Sequence, residues 1–126
     1  MNSRDNPSDY NLEIKETNEM GMGLFTLKDI KKNDLICPYV YDEEDIMKIK
    51  DFRLKYGNDN LYTYRNMRKH IIINVKDNRN VVTYINERKE NPNVYLKCFK
   101  LYALEDIKNG DEFFLKYWYK TDFKKI

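Results

Sequence analysis

The residue whose position most demands a polar partner is Asn86. It directly follows the strand-like apolar run Val81-Val82-Thr83-Tyr84-Ile85, so its amide must bond backbone or a ligand, because a buried unpaired amide is costly. A charged insert then leads to Asn91-Pro92-Asn93, which is turn chemistry, and to a second strand-like run, Val94-Tyr95-Leu96. A polar loop held between two buried strands is a common seat for a binding site, although a hairpin with a long loop explains the segment equally well. Gly21-Met22-Gly23 is the second candidate. Glycines bracketing one residue permit positive φ or close approach of the backbone to another group. A plain tight turn is the simpler reading, and the longer glycine pattern of a dinucleotide loop is missing.

Other chemistries find little support. Cys37, Cys98 and His70 are the only cysteines and the only histidine, and they do not build a zinc cluster at normal ligand spacing. His70 precedes Ile71-Ile72-Ile73 and reads as a structural imidazole. What the chain does have is tyrosine, eleven in all, suited to half-buried positions and to walls that are part polar and part apolar.

The surroundings are those of one domain. With 126 residues there is enough chain for a single core. Charged residues make up 35% at a net charge of only +2, a well-solvated surface with no strong bias toward nucleic acid and so no direct nucleic-acid site. No apolar run approaches the roughly 18 residues of a membrane span, and no signal peptide is visible. An intracellular chain, nuclear or cytoplasmic and with reduced thiols, is expected.

Residues 1–10 are polar and expected to fray as a flexible tail, with a single domain over 11–126. Leu12 and Ile14 alternate as a strand. Leu24–Ile36 and Leu101–Phe113 are similar without a gap, sharing Leu24/Leu101, Leu27/Leu104, Asp29/Asp106, Ile30/Ile107, Lys31/Lys108 and Asp34/Asp111. Each reads as a strand, an Asp-Ile-Lys corner, an Asn or Gly turn and a second strand, so two related β units should pack into one pseudo-symmetric core. Tyr41–Tyr56 is the one helix candidate, with Ile46, Ile49, Phe52 and Leu54 roughly on one face, acids at its start and Gly57 at its end. Leu61–Arg65 and Ile71–Val75 read as a strand pair. The expected fold is mainly β with one short helix.

Three blocks in order carry a resemblance: Met20-Gly21-Met22-Gly23-Leu24-Phe25, Asn80 to Asn93, and Gly110-Asp111-Glu112 to Tyr117. Together they resemble the SET domain, the fold of most protein lysine methyltransferases, over roughly Glu13 to Tyr119. The likeness is greatest to minimal viral and bacterial forms without cysteine-rich flanking modules. The central SET signature runs Gly-Asn-x-x-Arg-Phe-Ile-Asn-His-Ser-Cys-x-Pro-Asn; Asn80, Tyr84, Ile85, Asn86, Pro92 and Asn93 fit it. Arg79 stands where Gly is usual, Thr83 where Arg is usual, and Glu87-Arg88-Lys89 replaces His-Ser-Cys. Leu115 replaces a frequent Tyr. The resemblance implies a β-clip fold with a C-terminal pseudoknot, in which Phe113–Tyr117 presses against Tyr84–Asn93.

It also implies a reaction: transfer of a methyl group from S-adenosyl-L-methionine to a lysine side chain of a protein, with a histone tail as the common substrate. The amine must be neutral although free lysine has a pKa of about 10.4, which a desolvated channel beside a sulfonium favours. Such in-line displacement needs alignment rather than a covalent intermediate or a metal. By position Tyr117 would be catalytic, orienting methyl and amine. Asn86 would hold the cofactor's ammonium or carboxylate end, helped by Met20, Met22 and Gly23 and flanked by Tyr84 and Glu87. Trp118 or Phe123 would cover the adenine, although an exposed Trp serves equally as a contact of a homodimer. Tyr39 and Tyr62 would line the substrate channel. The altered central signature leaves a second expectation, a catalytically inactive SET-fold module that binds protein.

Overall fold

Ile30 and Ile107, equivalent positions in the two similar segments, meet in an antiparallel bridge, each amide donating to the other's carbonyl at 2.7 and 2.8 Å. The chain is seen in a computed structural model that describes residues 3–57, 62–66 and 69–115. Around that bridge several cross-bonds recur 77 positions away. Asn33 N–H donates to Ala103 O at 2.8 Å, and Gly110 N–H donates to Thr26 O at 2.8 Å. Lys32 N–H donates to the Asp106 carboxylate and Asn109 N–H to the Asp29 carboxylate, both at 2.9 Å. Asn33 and Gly110 both turn the chain at positive φ, 72° and 94°, which Asn and Gly tolerate better than most residues. The shared residues therefore do shared work, and the two β units form one core with Leu24, Leu101, Ile30, Ile107 and Phe113 buried in it.

The strands are β1 (Leu12–Glu16), β2 (Met22–Thr26), β3 (Leu35–Pro38), β4 (Ile46–Lys48), β5 (Thr63–Asn66), β6 (Ile71–Asn74), β7 (Asn86–Glu87), β8 (Val94–Lys97), β9 (Lys100–Ala103) and β10 (Phe114–Leu115). β1 and β2 pair as an antiparallel hairpin; β3-β9-β8 and β4-β6-β5 are antiparallel three-stranded sheets. β7 and β10 pair in parallel, Phe114 opposite Asn86 and Leu115 opposite Glu87. Among the described residues there is one α-helix, α1 (Ile49–Tyr56), so the mainly β expectation holds.

Two local expectations are corrected. The helix expected over Tyr41–Tyr56 is confined to Ile49–Tyr56. Glu43–Asp45 is a short 3-10 turn, and Ile46–Lys48 pairs with β6, Ile46 opposite Ile73. Cross-strand pairing with β6 thus overrides the helical spacing of Ile46, which stays exposed. The run Val81–Tyr84, expected as a strand, is a 3-10 turn with all four residues buried. Asn80 caps it, its Oδ1 accepting from Thr83 N–H at 3.2 Å. An apolar run buried all round carries no period to separate the two forms.

Residues 3–10, expected to fray, make definite contacts. Arg4 N–H donates to Arg79 O at 2.8 Å, and its guanidinium bonds the Asp45 carboxylate at 2.6 Å and Asn78 O at 2.7 Å. Asp5 accepts from Val81 N–H at 2.9 Å and from the Tyr10 hydroxyl at 3.0 Å. The polar character that suggested a loose tail is used up in these bonds. No described helix is long and apolar enough to cross a membrane.

Candidate functional site

Asn86 leaves the buried Val81–Tyr84 turn at the start of β7, and its carboxamide gathers three segments far apart in sequence. Nδ2 donates to Met22 O of β2 at 3.1 Å and to Glu112 Oε2, just before β10, at 2.9 Å. With both amide hydrogens committed, Oδ1 is the part of Asn86 that can accept from a ligand donor. The half-buried Glu112 carboxylate has no ion-pair partner among the described residues.

The two glycines divide the work. Gly21, at φ 69°, turns the β1–β2 hairpin, its carbonyl accepting from Thr17 N–H at 2.7 Å and Thr17 Oγ1 at 2.8 Å. Gly23 supplies closeness: a Cβ there would lie 2.6 Å from Glu112 Oε2 and 2.9 Å from Thr17 Cγ2. Any side chain at 23 would push the carboxylate off Asn86. Met20 sits on the hairpin loop, exposed, its N–H donating to Thr17 Oγ1 at 2.9 Å.

Asn93 closes a clasp around the C-terminal segment. Its Nδ2 donates to Glu112 O at 2.8 Å, its Oδ1 accepts from Phe114 N–H at 2.7 Å, and its own N–H donates to Phe114 O at 3.1 Å. Arg88 N–H donates to Leu115 O at 2.7 Å, so backbone carries the contact where the sequence departs from the usual signature. The Arg88 guanidinium stacks on Phe114, 3.9 Å from the ring centre, and bonds Asn91 O. Glu87 lies opposite Leu115. Tyr117, Trp118 and Phe123, which follow β10 in sequence, lie outside the described residues.

Arg79 and Thr83, the two central departures, touch. The Arg79 guanidinium donates to Thr83 O at 2.8 Å and Thr83 Oγ1 at 3.2 Å, and lies between the rings of Tyr62, at 3.7 Å, and Tyr84, at 3.9 Å. Tyr62 and Tyr84 are thereby brought together through a shared cation. Tyr39 is buried in the same core, its ring 5.2 Å from that of Tyr64. Burial pushes the Tyr39 phenol above the usual tyrosine range, against the pull of Asn80 and the Arg4 guanidinium. Burial likewise pushes the Cys37 thiol up to about 12. Among the described residues no group of three or more His, Cys, Asp or Glu converges as metal ligands.

The structure therefore brings Met22, Gly23 and Asn86 to one point, with Glu87 next to Asn86 and Tyr84 two residues before it in the chain, and Met20 on the neighbouring hairpin loop. Glu112 belongs with them and sequence reasoning passed over it, although it stands inside the Gly110-Asp111-Glu112 block. Its partner is 26 residues away, a separation that no local pattern reveals.

A family model described as the SET domain matches residues 21–118. Among solved structures, an active polycomb repressive complex 2 in the basal state is similar at TM-score 0.71 and 20% identity, over 84% of this chain and 15% of that one. An autoinhibited form of the complex bound to S-adenosylmethionine gives TM-score 0.67 at 19% identity, over 90% and 16%. The Chaetomium thermophilum complex gives 0.67 at 21%, over 84% and 15%. The chain thus spans about 15% of the length of those neighbours. No curated protein matches by sequence. With the glycine hairpin, the Asn86 corner and the clasped C-terminal strand in SET order, and a SET model covering all three, the chain belongs to the SET-domain family.

Proposed function

We propose that the protein transfers a methyl group from S-adenosyl-L-methionine to the side-chain amine of a protein lysine. The observation that carries this reading is the convergence on Asn86 of β2, β7 and the Glu112 segment. These residues fit the cofactor. An ammonium suits Asn86 Oδ1 and the Glu112 carboxylate, which has no ion-pair partner among the described residues, and a sulfonium suits the same negative field. Backbone at Met20, Met22 and Gly23 flanks that corner, the Met22 carbonyl already serving to fix Asn86. Tyr84 and Glu87 border it, and Trp118 is the candidate cover for the adenine. The cofactor supplies the electrophilic methyl.

The chain's own work is orientation and desolvation. Tyr117, two residues beyond β10, is proposed to orient the amine with its hydroxyl, and Tyr62 and Tyr39 to wall the lysine channel. Excluding water there favours the neutral amine, since burial disfavours an ammonium. A histone tail is the proposed substrate, in a nuclear or cytoplasmic setting. One structural neighbour is described with S-adenosylmethionine bound, which supports the cofactor assignment. The altered Glu87-Arg88-Lys89 stretch favours a second reading, a SET-fold module that binds protein without catalysis.

Radiolabelled S-adenosyl-L-methionine with mixed histones separates the two. Labelled lysine that disappears in Tyr117→Phe, with folding intact, is expected. Unlabelled histones and cell extract would leave the binding module.

A further inference from the structure

The net charge conceals a local concentration of positive charge. Lys48, Lys50, Arg53, Lys69 and His70 surround one open cleft of about 570 Å³ floored by Ile49 and Ile71, and among the described residues no carboxylate lines it. All five are exposed. The chain has 23 Lys and Arg against 21 Asp and Glu; without the four Lys and Arg of this cleft it has 19 against 21, so the remainder is net −2. Asp51, the acid on the first turn of α1, does not face the cleft. Acids collect instead beyond the other end of β6, where Glu44, Asp45 and Asp77 line a separate cleft of about 350 Å³ with Arg4 and Lys55. The fold causes the grouping. β4 sets Lys48 opposite Ile71, and Ile49 N–H donates to His70 O at 3.0 Å. The end of β4, the start of α1 and the turn at Lys69-His70 thereby share one rim.

Like charge excludes a basic peptide from this cleft, so the lysine-bearing substrate proposed above does not sit there. Such a rim suits an anion. Exposed point charges spread along an open rim, with no buried side chain to fix one small ion, suit a line of phosphates more than a single one. We propose that the cleft seats the phosphate backbone of a nucleic-acid duplex. Combined with the proposed function, this would let the protein engage a histone tail presented on DNA. Only that last step rests on the methyltransferase reading.

Fluorescence anisotropy of the full chain with a labelled duplex of about 20 base pairs tests the cleft without any activity. Affinity should fall linearly with salt on logarithmic axes between about 50 and 200 mM, with a slope of about −3 for three to four phosphate contacts. Lys48→Glu/Lys50→Glu/Lys69→Glu should lose at least about tenfold in affinity and most of that slope. The matching Gln variants, which remove charge without reversing it, should fall between, with circular dichroism confirming that both fold. No duplex binding by the wild type, unchanged affinity in the Glu variant, or equal binding of polyglutamate or phosphatidylserine vesicles would overturn the proposal. In a separate arm, the Glu variant should lose methyl transfer to nucleosomes and keep transfer to free histones. A wild type inert on both would sink the methyltransferase reading, while the anisotropy would still decide the cleft.

Discussion

Asn93 and Phe114 are bonded in both directions: Phe114 N–H donates to Asn93 Oδ1 at 2.7 Å, and Asn93 N–H donates to Phe114 O at 3.1 Å. Nineteen positions separate Asn93 from Glu112, whose carbonyl takes the remaining Asn93 side-chain bond. One carboxamide, 8% exposed, therefore holds the crossing of the loop after β7 with the C-terminal strand. Asn93→Ala strands the Phe114 N–H and the Glu112 carbonyl together, at an expected cost of about 2–4 kcal/mol by urea denaturation. Asn93→Asp keeps the acceptor and should cost about half. A loss below about 1 kcal/mol for the alanine variant would show that the clasp does not depend on this side chain.

Gly23→Ala tests the closeness of β2 to Glu112. The new methyl would meet the end of a flexible side chain, Glu112 Oε2 at 2.6 Å, and the Thr17 methyl at 2.9 Å. Glu112 can swing away, so stability should fall only by about 1 kcal/mol. Swinging away breaks its bond to Asn86, however, so affinity for S-adenosyl-L-methionine should fall about tenfold, the equivalent of one charged hydrogen bond. Thermal-shift titration reads both effects, and unchanged affinity would remove Glu112 from the site.

The Arg79 sandwich depends on a flat cation. Arg79→Lys keeps the charge but loses the planar face between Tyr62 and Tyr84 and the paired bonds to Thr83. We expect a loss of about 1–2 kcal/mol for lysine and somewhat more for alanine. Equal stability of arginine and lysine variants, measured by chemical denaturation, would mean that charge alone matters there.

Acid should loosen the N-terminal segment first. Burial opposes ionisation of Asp45, but the Arg4 guanidinium bond and the Asp42 backbone N–H outweigh it and hold its carboxyl below the usual range. A depressed folded pKa means stability that is present above the unfolded carboxyl range and lost as pH falls through the folded value. Wild type should therefore lose stability from about pH 4 downward. Asp45→Asn should start lower at neutral pH, by about 2 kcal/mol, and show a flatter acid limb. Parallel acid limbs in the two proteins would show that this pair carries no linkage.

Legibility in the sequence followed from locality. The similar segments could be aligned because Asp29 and Asp106, or Ile30 and Ile107, do the same job twice. The three ordered blocks pointed to the SET fold because a glycine close approach and an asparagine leaving the core are residue-specific demands. The Val81–Tyr84 turn was hidden because residues buried on every side show no period. The start of α1 was misjudged because Ile46 pairs with Ile73, a partner that helical spacing does not know about. The docking of Arg4 and Asp5 and the Asn86–Glu112 bond join positions 26 to 76 residues apart. Only the folded chain brings such partners together.

The central claim is that Asn86 and its partners form a seat for S-adenosyl-L-methionine. Isothermal titration calorimetry of the full chain with that cofactor tests it most directly. We predict saturable binding at one site per chain that weakens at least about tenfold in Asn86→Ala while the variant still folds. No heat of binding in the wild type, or undiminished affinity in the alanine variant, would contradict it.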